Sequence, residues 1–165
     1  MKSQARVVII GGGIMGVSLL YHLTKEEWVD CVLIEKGELT SGSTWHAAGQ
    51  CPHFVGSFNA AKIHNYSNKL YQELEEETGQ STGWHGCGSL RLALKQEDVD
   101  WFHYVKGILD NVGSPAEFVK KEKIHDIHPF LKIEDVICAL HTPEDGHTDP
   151  TSTTNAMAKA ARKAG

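Results

Sequence analysis

Apolar side chains run unbroken through VVII in the stretch RVVII, residues 6–10, and again through CVLI, residues 31–34. Short β-branched runs of this kind belong to strands covered on both faces of a parallel sheet. Between them, IMGVSLLYHLTKE spaces Ile14, Leu19, Leu20 and Leu23 at helical intervals. The chain therefore opens as strand, helix, strand. Helical spacing returns in NAAKIHNYSNKLYQELEEET, residues 59–78, through Ile63, Tyr66, Leu70 and Leu74, with Gly79 as terminator. It appears once more in QEDVDWFHYVKGILDNVG, residues 96–113, where Val99, Phe102, Val105, Leu109 and Val112 lie on or near one face. The flanking stretches GCGSLRLAL, residues 86–94, and VICALHTP, residues 136–143, read as strands and predict an inserted antiparallel sheet. Asp149 is placed to cap a last helix whose first residue is Pro150.

Glycines follow the first strand at once, and GGGIMG sets Gly11, Gly13 and Gly16 in G-x-G-x-x-G spacing. In a dinucleotide fingerprint the first glycine makes the tight turn, the second lets backbone approach a pyrophosphate, and the third lets helix and strand pack closely. The N–H groups around Gly13, Ile14 and Met15 are expected to point at the anion, helped by the helix dipole. The second strand ends at Glu35, at the offset of about 20 residues where an acid accepts hydrogen bonds from a ribose. The expected fold class is thus α/β, a Rossmann-like βαβ unit carrying an inserted antiparallel portion. Glu35 suits NAD and the adenosine of FAD equally and disfavours NADP.

A simple nicotinamide enzyme continues from such an acid into a helix and a third parallel strand. This chain instead enters KGELTSGSTWHAAGQ, whose Ser43 and Thr44 hydroxyls and small-residue amides can wrap a dinucleotide lying across the sheet edge. That suits a permanently held cofactor. An isolated Trp45–His46 pair would otherwise be read as a core anchor beside a hydrogen-bonded loop histidine.

The order VVIIGGGIMGVSLLYHL, VLIEKGELTSGSTWHAAG, YQELEEETG, GSLRLA and PEDGHTDP resembles the amino-terminal part of the dimethylglycine and sarcosine dehydrogenase family, within the FAD-dependent amine oxidoreductases. The resemblance runs over essentially the whole chain, and STWHAAG is its most specific block. It implies that His46 is joined covalently to the 8α carbon of FAD, and that Ile14, Met15, Glu35, Lys36 and the stretch Gly42, Ser43, Thr44, Trp45, His46, Ala47, Ala48 and Gly49 contact the cofactor. Residues 1–58 and 143–165 would form the FAD-binding domain, and residues 59–142 a linking helix and the start of a substrate domain. The implied reaction is oxidative demethylation of an N-methylated glycine by hydride transfer to FAD. Electrons would leave to an electron-transferring flavoprotein or to dioxygen, and tetrahydrofolate could take the one-carbon unit. The competing readings are a non-catalytic regulatory flavoprotein of the same superfamily, which shares a YSNKLY-like helix but lacks the Trp–His pair, and an NAD-dependent dehydrogenase.

Composition narrows this little further. Acidic and basic residues are mixed along the chain, giving a net charge of −5 without a basic stripe, so nucleic acid is not an expected partner. No apolar run is long enough for a bilayer, and no leader is read at Met1 to Gln4. The expected location is cytoplasmic, or the mitochondrial matrix in a eukaryote with its presequence absent from this chain. Cys31, Cys51, Cys87 and Cys138 lie far apart, which argues for reduced thiols rather than a disulfide framework. His125 and His128 could share a helical face, but no further ligand stands at metal spacing, and no metal is expected. The run Glu75–Glu77 reads as a solvated surface. His85 precedes a strand that could face a substrate, without a local partner to tune it. Gly165 stands where a helix terminator would hand over to another parallel strand, and two parallel strands cannot form a covered doubly wound sheet. The sequence thus reads as a truncated chain without a complete active site.

Overall fold

The structure is a computed structural model that describes residues 4–164. The readings made at residues 1–3 and at Gly165 lie outside the described residues. The element order is β1 (Val7–Ile10), α1 (Ile14–Lys25), β2 (Cys31–Ile34), a 3-10 turn (Thr44–His46), β3 (Gln50–Cys51), α2 (Phe58–Thr78), β4 (Ser89–Ala93), α3 (Gln96–Val112), β5 (Glu117–Lys120), a 3-10 turn (Lys121–Lys123), α4 (Ile124–Ile127), β6 (Cys138–Thr142), β7 (Gly146–His147) and α5 (Pro150–Ala164). These elements divide into two compact units. One holds the residues up to Gln50, Leu70–Trp84 and those from Thr148 onward; the other holds Cys51–Lys69 and His85–His147.

In the first unit β1 and β2 pair in parallel, from Val7 opposite Cys31 to Ile10 opposite Ile34, with α1 as the crossover. This is the βαβ unit that the apolar runs predict. Its core joins Val17 and Tyr21 of α1 to Leu70 and Leu74 of α2 and to Ala156, Met157 and Ala160 of α5. Ala156 and Ala160 of α5 share this core with Val17 and Tyr21 of α1, and their small side chains favour a close approach of the two helices. Asp149 caps α5 as expected, its Oδ1 accepting the Ser152 N–H at 2.7 Å. Hydrogen bonds from Ser152 hold its carboxyl below the usual aspartate range.

Two expectations change here. Ile9 is buried, but Val8 is 51% and Ile10 86% exposed, so the sheet is covered on one face rather than both. Strand alternation turns Val8 and Ile10 away from the helices, and no described element covers that side. The run Glu75–Glu77 is also more than a solvated surface. Glu77 accepts the Tyr21 hydroxyl at 2.8 Å and pairs with Lys25 at 3.2 Å, while Glu75 accepts the Ser81 hydroxyl at 3.0 Å. Burial, then the Glu77 carboxylate, pushes the Tyr21 hydroxyl up to about 12.

The second unit is the inserted antiparallel sheet, three strands in the order β4-β6-β5. Ser89 stands opposite Thr142 and Ala93 opposite Cys138, and on the other edge of β6 Glu117 faces His141. Both expected strands form, trimmed at their ends, but β5 was not foreseen. Helix α3 buries Phe102, Val105 and Leu109 as its spacing predicts. Phe102 packs against Ala93 and Leu140 of the sheet, and Val105 and Leu109 against Ala61. Gly113, at φ 74°, ends the helix in the left-handed conformation glycine favours. The other sheet core contains Val119, Ile124, Val136 and Ala139.

Helix α2 forms where expected but rotated. Leu70 and Leu74 are buried, whereas Ile63 is 65% and Tyr66 53% exposed. The inward positions are instead Ala61, buried against Val105 and Leu109, and Asn68, whose side-chain amide donates to the Cys51 carbonyl at 2.9 Å. A polar group can occupy an inner position at little cost when its hydrogen bond is made there.

Candidate functional site

The turn between β1 and α1 is built on steric necessity. Gly11 sits at φ 113°, which only glycine adopts readily. A Cβ on Gly16 would run into the Gly11 carbonyl oxygen, so that glycine does permit the close packing of helix on strand. Gly12, in the middle of the triplet, is equally constrained: a Cβ there would lie 2.6 Å from Leu39 and 2.9 Å from Glu35.

The Glu35 carboxylate closes this turn. Its Oε2 accepts the Gly12 N–H at 2.6 Å and its Oε1 the Gly37 N–H at 2.9 Å. These two backbone donors, Gly12 first, hold the carboxyl below the usual glutamate range. A carboxylate oxygen that accepts one such bond has capacity for another, as from a vicinal diol. Thr40, which the sequence did not mark, holds the next peptide of the same turn, its N–H donating to the Gly12 carbonyl at 3.0 Å. It does so at φ 70°, an unusual conformation for a β-branched residue. Nothing in the letters around it signals that strain. Thr40 also helps line a groove with Leu39, Glu35, Thr151 and Asn155.

The anion-facing amides differ from the expectation. The Ile14 N–H is taken by the Thr44 hydroxyl oxygen at 3.0 Å. The N–H groups of Gly13, Met15 and Gly16 make no hydrogen bond to a described residue. The first turn of α1 carries no acidic side chain. Gly13 also meets a constraint within the protein, since a Cβ there would lie 2.9 Å from the Thr44 oxygen.

Thr44 begins the 3-10 turn that carries the two rings. His46 N–H donates to the Ser43 carbonyl at 3.2 Å and Ala47 N–H to that of Thr44 at 3.1 Å. The rings of Trp45 and His46 stack with centroids 3.7 Å apart, tilted by 32°. Trp45 is 57% exposed, so it is not a core anchor. The His46 Nδ1 lies 3.2 Å from the Gly42 carbonyl. A carbonyl only accepts, so Nδ1 is the donor in this contact, and no described residue is bonded to Nε2. Ser43, Ala47 and Ala48 are exposed around this turn, as is Lys36. Gly49, at φ 70°, seats where a Cβ would strike the Thr148 carbonyl, and its own carbonyl accepts the Thr148 N–H at 2.9 Å.

The second unit places the remaining histidines. His85 pairs with His147 across an antiparallel bridge, both exposed, with ring centroids 5.3 Å apart. His125 donates to the Leu131 carbonyl from an exposed position near the end of α4. Sequence reasoning missed a buried cluster around Asp145. Its Oδ1 accepts both the backbone N–H and Nδ1–H of His53, at 2.8 and 2.7 Å. Its Oδ2 accepts the hydroxyls of Ser89 and Thr142, each at 2.5 Å. Burial raises the carboxyl's pKa, yet these bonds, led by that from the His53 side chain, outweigh it and hold the group below its usual range.

Comparison with known proteins identifies the dinucleotide. The family described as FAD dependent oxidoreductase matches residues 6–165. The chain belongs to that family. The FAD-dependent oxidoreductase chain is 49% identical to the mitochondrial dimethylglycine dehydrogenase of Rattus norvegicus, over 99% of its own length and 19% of the relative's. It is 41% identical to the pyruvate dehydrogenase phosphatase regulatory subunit of Mus musculus, over 100% of its length and 19% of that protein. Among solved structures, L-proline dehydrogenase from P. horikoshii superposes with a TM-score of 0.90 at 31% identity, covering 100% of this chain and 43% of that one. The cofactor left open by Glu35 is therefore FAD, and the NAD-dependent reading falls away. The residues present fit it: amides at the start of α1 that no described residue accepts from, in a first turn without an acidic side chain, suit a diphosphate, and the two Glu35 oxygens suit a ribose. No helix among the described residues is long and apolar enough to cross a membrane.

Proposed function

We propose that this chain is the cofactor-anchoring part of a flavin-dependent dehydrogenase that oxidatively demethylates an N-methylated glycine, dimethylglycine or sarcosine, with FAD held covalently through His46. Residues 1–58 and 143–165 serve the cofactor and residues 59–142 begin the substrate side. Bound FAD supplies the two-electron acceptor for hydride leaving the N-methyl carbon. The protein's own part is to orient. Glu35 offers its carboxylate to the adenosine ribose, the Gly13 and Met15 amides face the diphosphate, and Gly42, Ser43, Ala47, Ala48 and Gly49 keep the wrapping loop thin enough to follow the cofactor. Lys36 stands beside Glu35 on the same loop.

The observation that carries this reading is the Thr44–His46 turn, in which the Gly42 carbonyl fixes the His46 tautomer and Trp45 lies against the imidazole. A neutral imidazole with Nε2 open is the form able to bond to carbon. With FAD bound, Nε2 would take the place of one hydrogen on the 8α-methyl carbon, and dioxygen would be the two-electron oxidant that receives the two hydrogens lost, one from that methyl group and one from the imidazole, as hydrogen peroxide. Electrons from turnover pass to an electron-transferring flavoprotein or to dioxygen, and tetrahydrofolate collects the one-carbon unit. In a eukaryote the setting is the mitochondrial matrix.

The test is the mass of the proteolytic peptide spanning His46, from the complete gene product grown with ample riboflavin. The expected peptide is heavier by FAD less two hydrogens, and His46→Ala abolishes the increment. The 41% identity to a phosphatase regulatory subunit supports a second, non-catalytic reading. A peptide of unmodified mass, with flavin released by denaturant, would favour it.

A further inference from the structure

We propose that Thr44 is the positioning residue that makes attachment of the flavin to His46 depend on a filled diphosphate turn. This rests on the covalent reading of His46 given above.

Helix α1 starts at an N-cap, Gly13, that has no side chain to satisfy the first amides. The Thr44 hydroxyl does that work from thirty residues along the chain, accepting the Ile14 N–H. The absent Gly13 side chain is what makes room, since a methyl there would crowd the same oxygen. Thr44 is only 7% exposed, so the arrangement is built into the unit rather than lying on its surface.

A hydroxyl that accepts one hydrogen bond still has a proton to give. For Thr44 no described residue takes it. The partnerless amides of Gly13, Met15 and Gly16 begin the same helix. An anionic oxygen at this helix end can therefore accept from the amides and from Thr44 together, and charge-assisted bonds of this kind are the strong ones. Thr44 is also the first residue of the tight turn ending in His46. Binding a diphosphate thus fixes the turn that aims the imidazole. With the diphosphate absent, the Ile14 N–H is the one hydrogen bond that a described residue makes to the Thr44 hydroxyl. Small misplacements of a reacting group cost one to two orders of magnitude in rate.

The experiment uses the complete apoprotein and follows, by in-gel fluorescence after denaturation, the rate at which flavin becomes covalently held. Three additions are compared: FAD, riboflavin, and riboflavin with ADP, which together supply the parts of FAD unlinked. In the unmodified protein FAD should attach at least about tenfold faster than riboflavin, and ADP should recover part of that gap. Thr44→Val should bring FAD down to the riboflavin rate and abolish the ADP effect, while Thr44→Ser restores both. Should Thr44→Val fail to fold, the ADP effect in the unmodified protein still decides. No acceleration by ADP, or a Thr44→Val variant that slows FAD and riboflavin by the same factor, overturns the proposal while leaving the covalent bond intact. No attachment of either flavin by unmodified protein overturns the reading of His46 and this proposal with it.

Discussion

Replacing Asp145 tests whether the second unit is held by its buried polar cluster as much as by its apolar core. The carboxylate is 2% exposed and takes four donors on two oxygens, from the His53 backbone and ring and from Ser89 and Thr142. Only an ionised carboxylate accepts from all four. Asp145→Ala strands those donors in a site without water access, and removing one partner of a buried charged cluster costs about 3–5 kcal/mol. Asp145→Asn keeps the shape and one acceptor oxygen, so the loss should be nearer ~2 kcal/mol. The pH dependence has a definite sign. Because the folded carboxyl lies below the ordinary aspartate value of 3.8, its contribution is complete above that value and fades as pH falls through the lower, folded one. The wild type and Asp145→Asn should therefore converge in acid. Hydrogen exchange read on peptides covering β4 and β6, across a pH series in the complete protein, measures the local loss. Equal protection of Asp145→Asn and wild type at neutral pH, or a gap that widens as pH falls, would falsify the assignment.

Two further outcomes follow from packing. Gly16→Ala presses a methyl onto the Gly11 carbonyl and to within 3.3 Å of Ile9; since a backbone atom is the obstacle, the cost should reach the upper end of about 1–3 kcal/mol, read as a lower urea midpoint. An unchanged midpoint would mean that β1 and α1 are not in this contact. Burial, then the Asp145 charge, pushes the Cys51 thiol up to about 11, whereas Cys87 is exposed. At about pH 8 iodoacetamide should label Cys87 well before Cys51, because only the thiolate reacts. Peptide mapping that finds equal rates contradicts the burial of Cys51.

What the sequence made legible was local. The β1–α1–β2 unit could be read because glycine spacing and apolar periodicity are statements about neighbours in the chain. Helix α3 could be read because Phe102, Val105 and Leu109 repeat the helical period. Helix α2 shows the limit. Its apolar letters put Ile63 and Tyr66 inside, but burial follows the partners available, and Asn68 had one in the Cys51 carbonyl. Strand β5, EFVK, is too short and too charged to announce itself before β6 is known to lie beside it. His53 and Asp145 stand 92 positions apart, and neither has a neighbour in the chain that hints at the other.

The cofactor turn separates two kinds of legibility. A steric demand leaves a mark, because only glycine meets it; a hydrogen-bond demand leaves none, because Thr and Glu are ordinary residues in any loop. Hence Gly11, Gly13 and Gly16 stood out in the sequence, while the second constraint on Gly13 did not. The motif assigns its missing side chain to an approaching ligand, but the nearest atom to a Cβ there is the Thr44 hydroxyl oxygen. Glu35 was read as a ribose acceptor, and its Oε2 also takes the Gly12 N–H, while Thr40 holds the Gly12 carbonyl. Residues that read as ligand contacts therefore also support one another, and the phosphate turn and the His46 turn form one hydrogen-bonded assembly. A substitution at Glu35 or Thr44 must then change the shape of the turn as well as its chemistry, so loss of FAD in such a variant is not by itself proof of a lost contact.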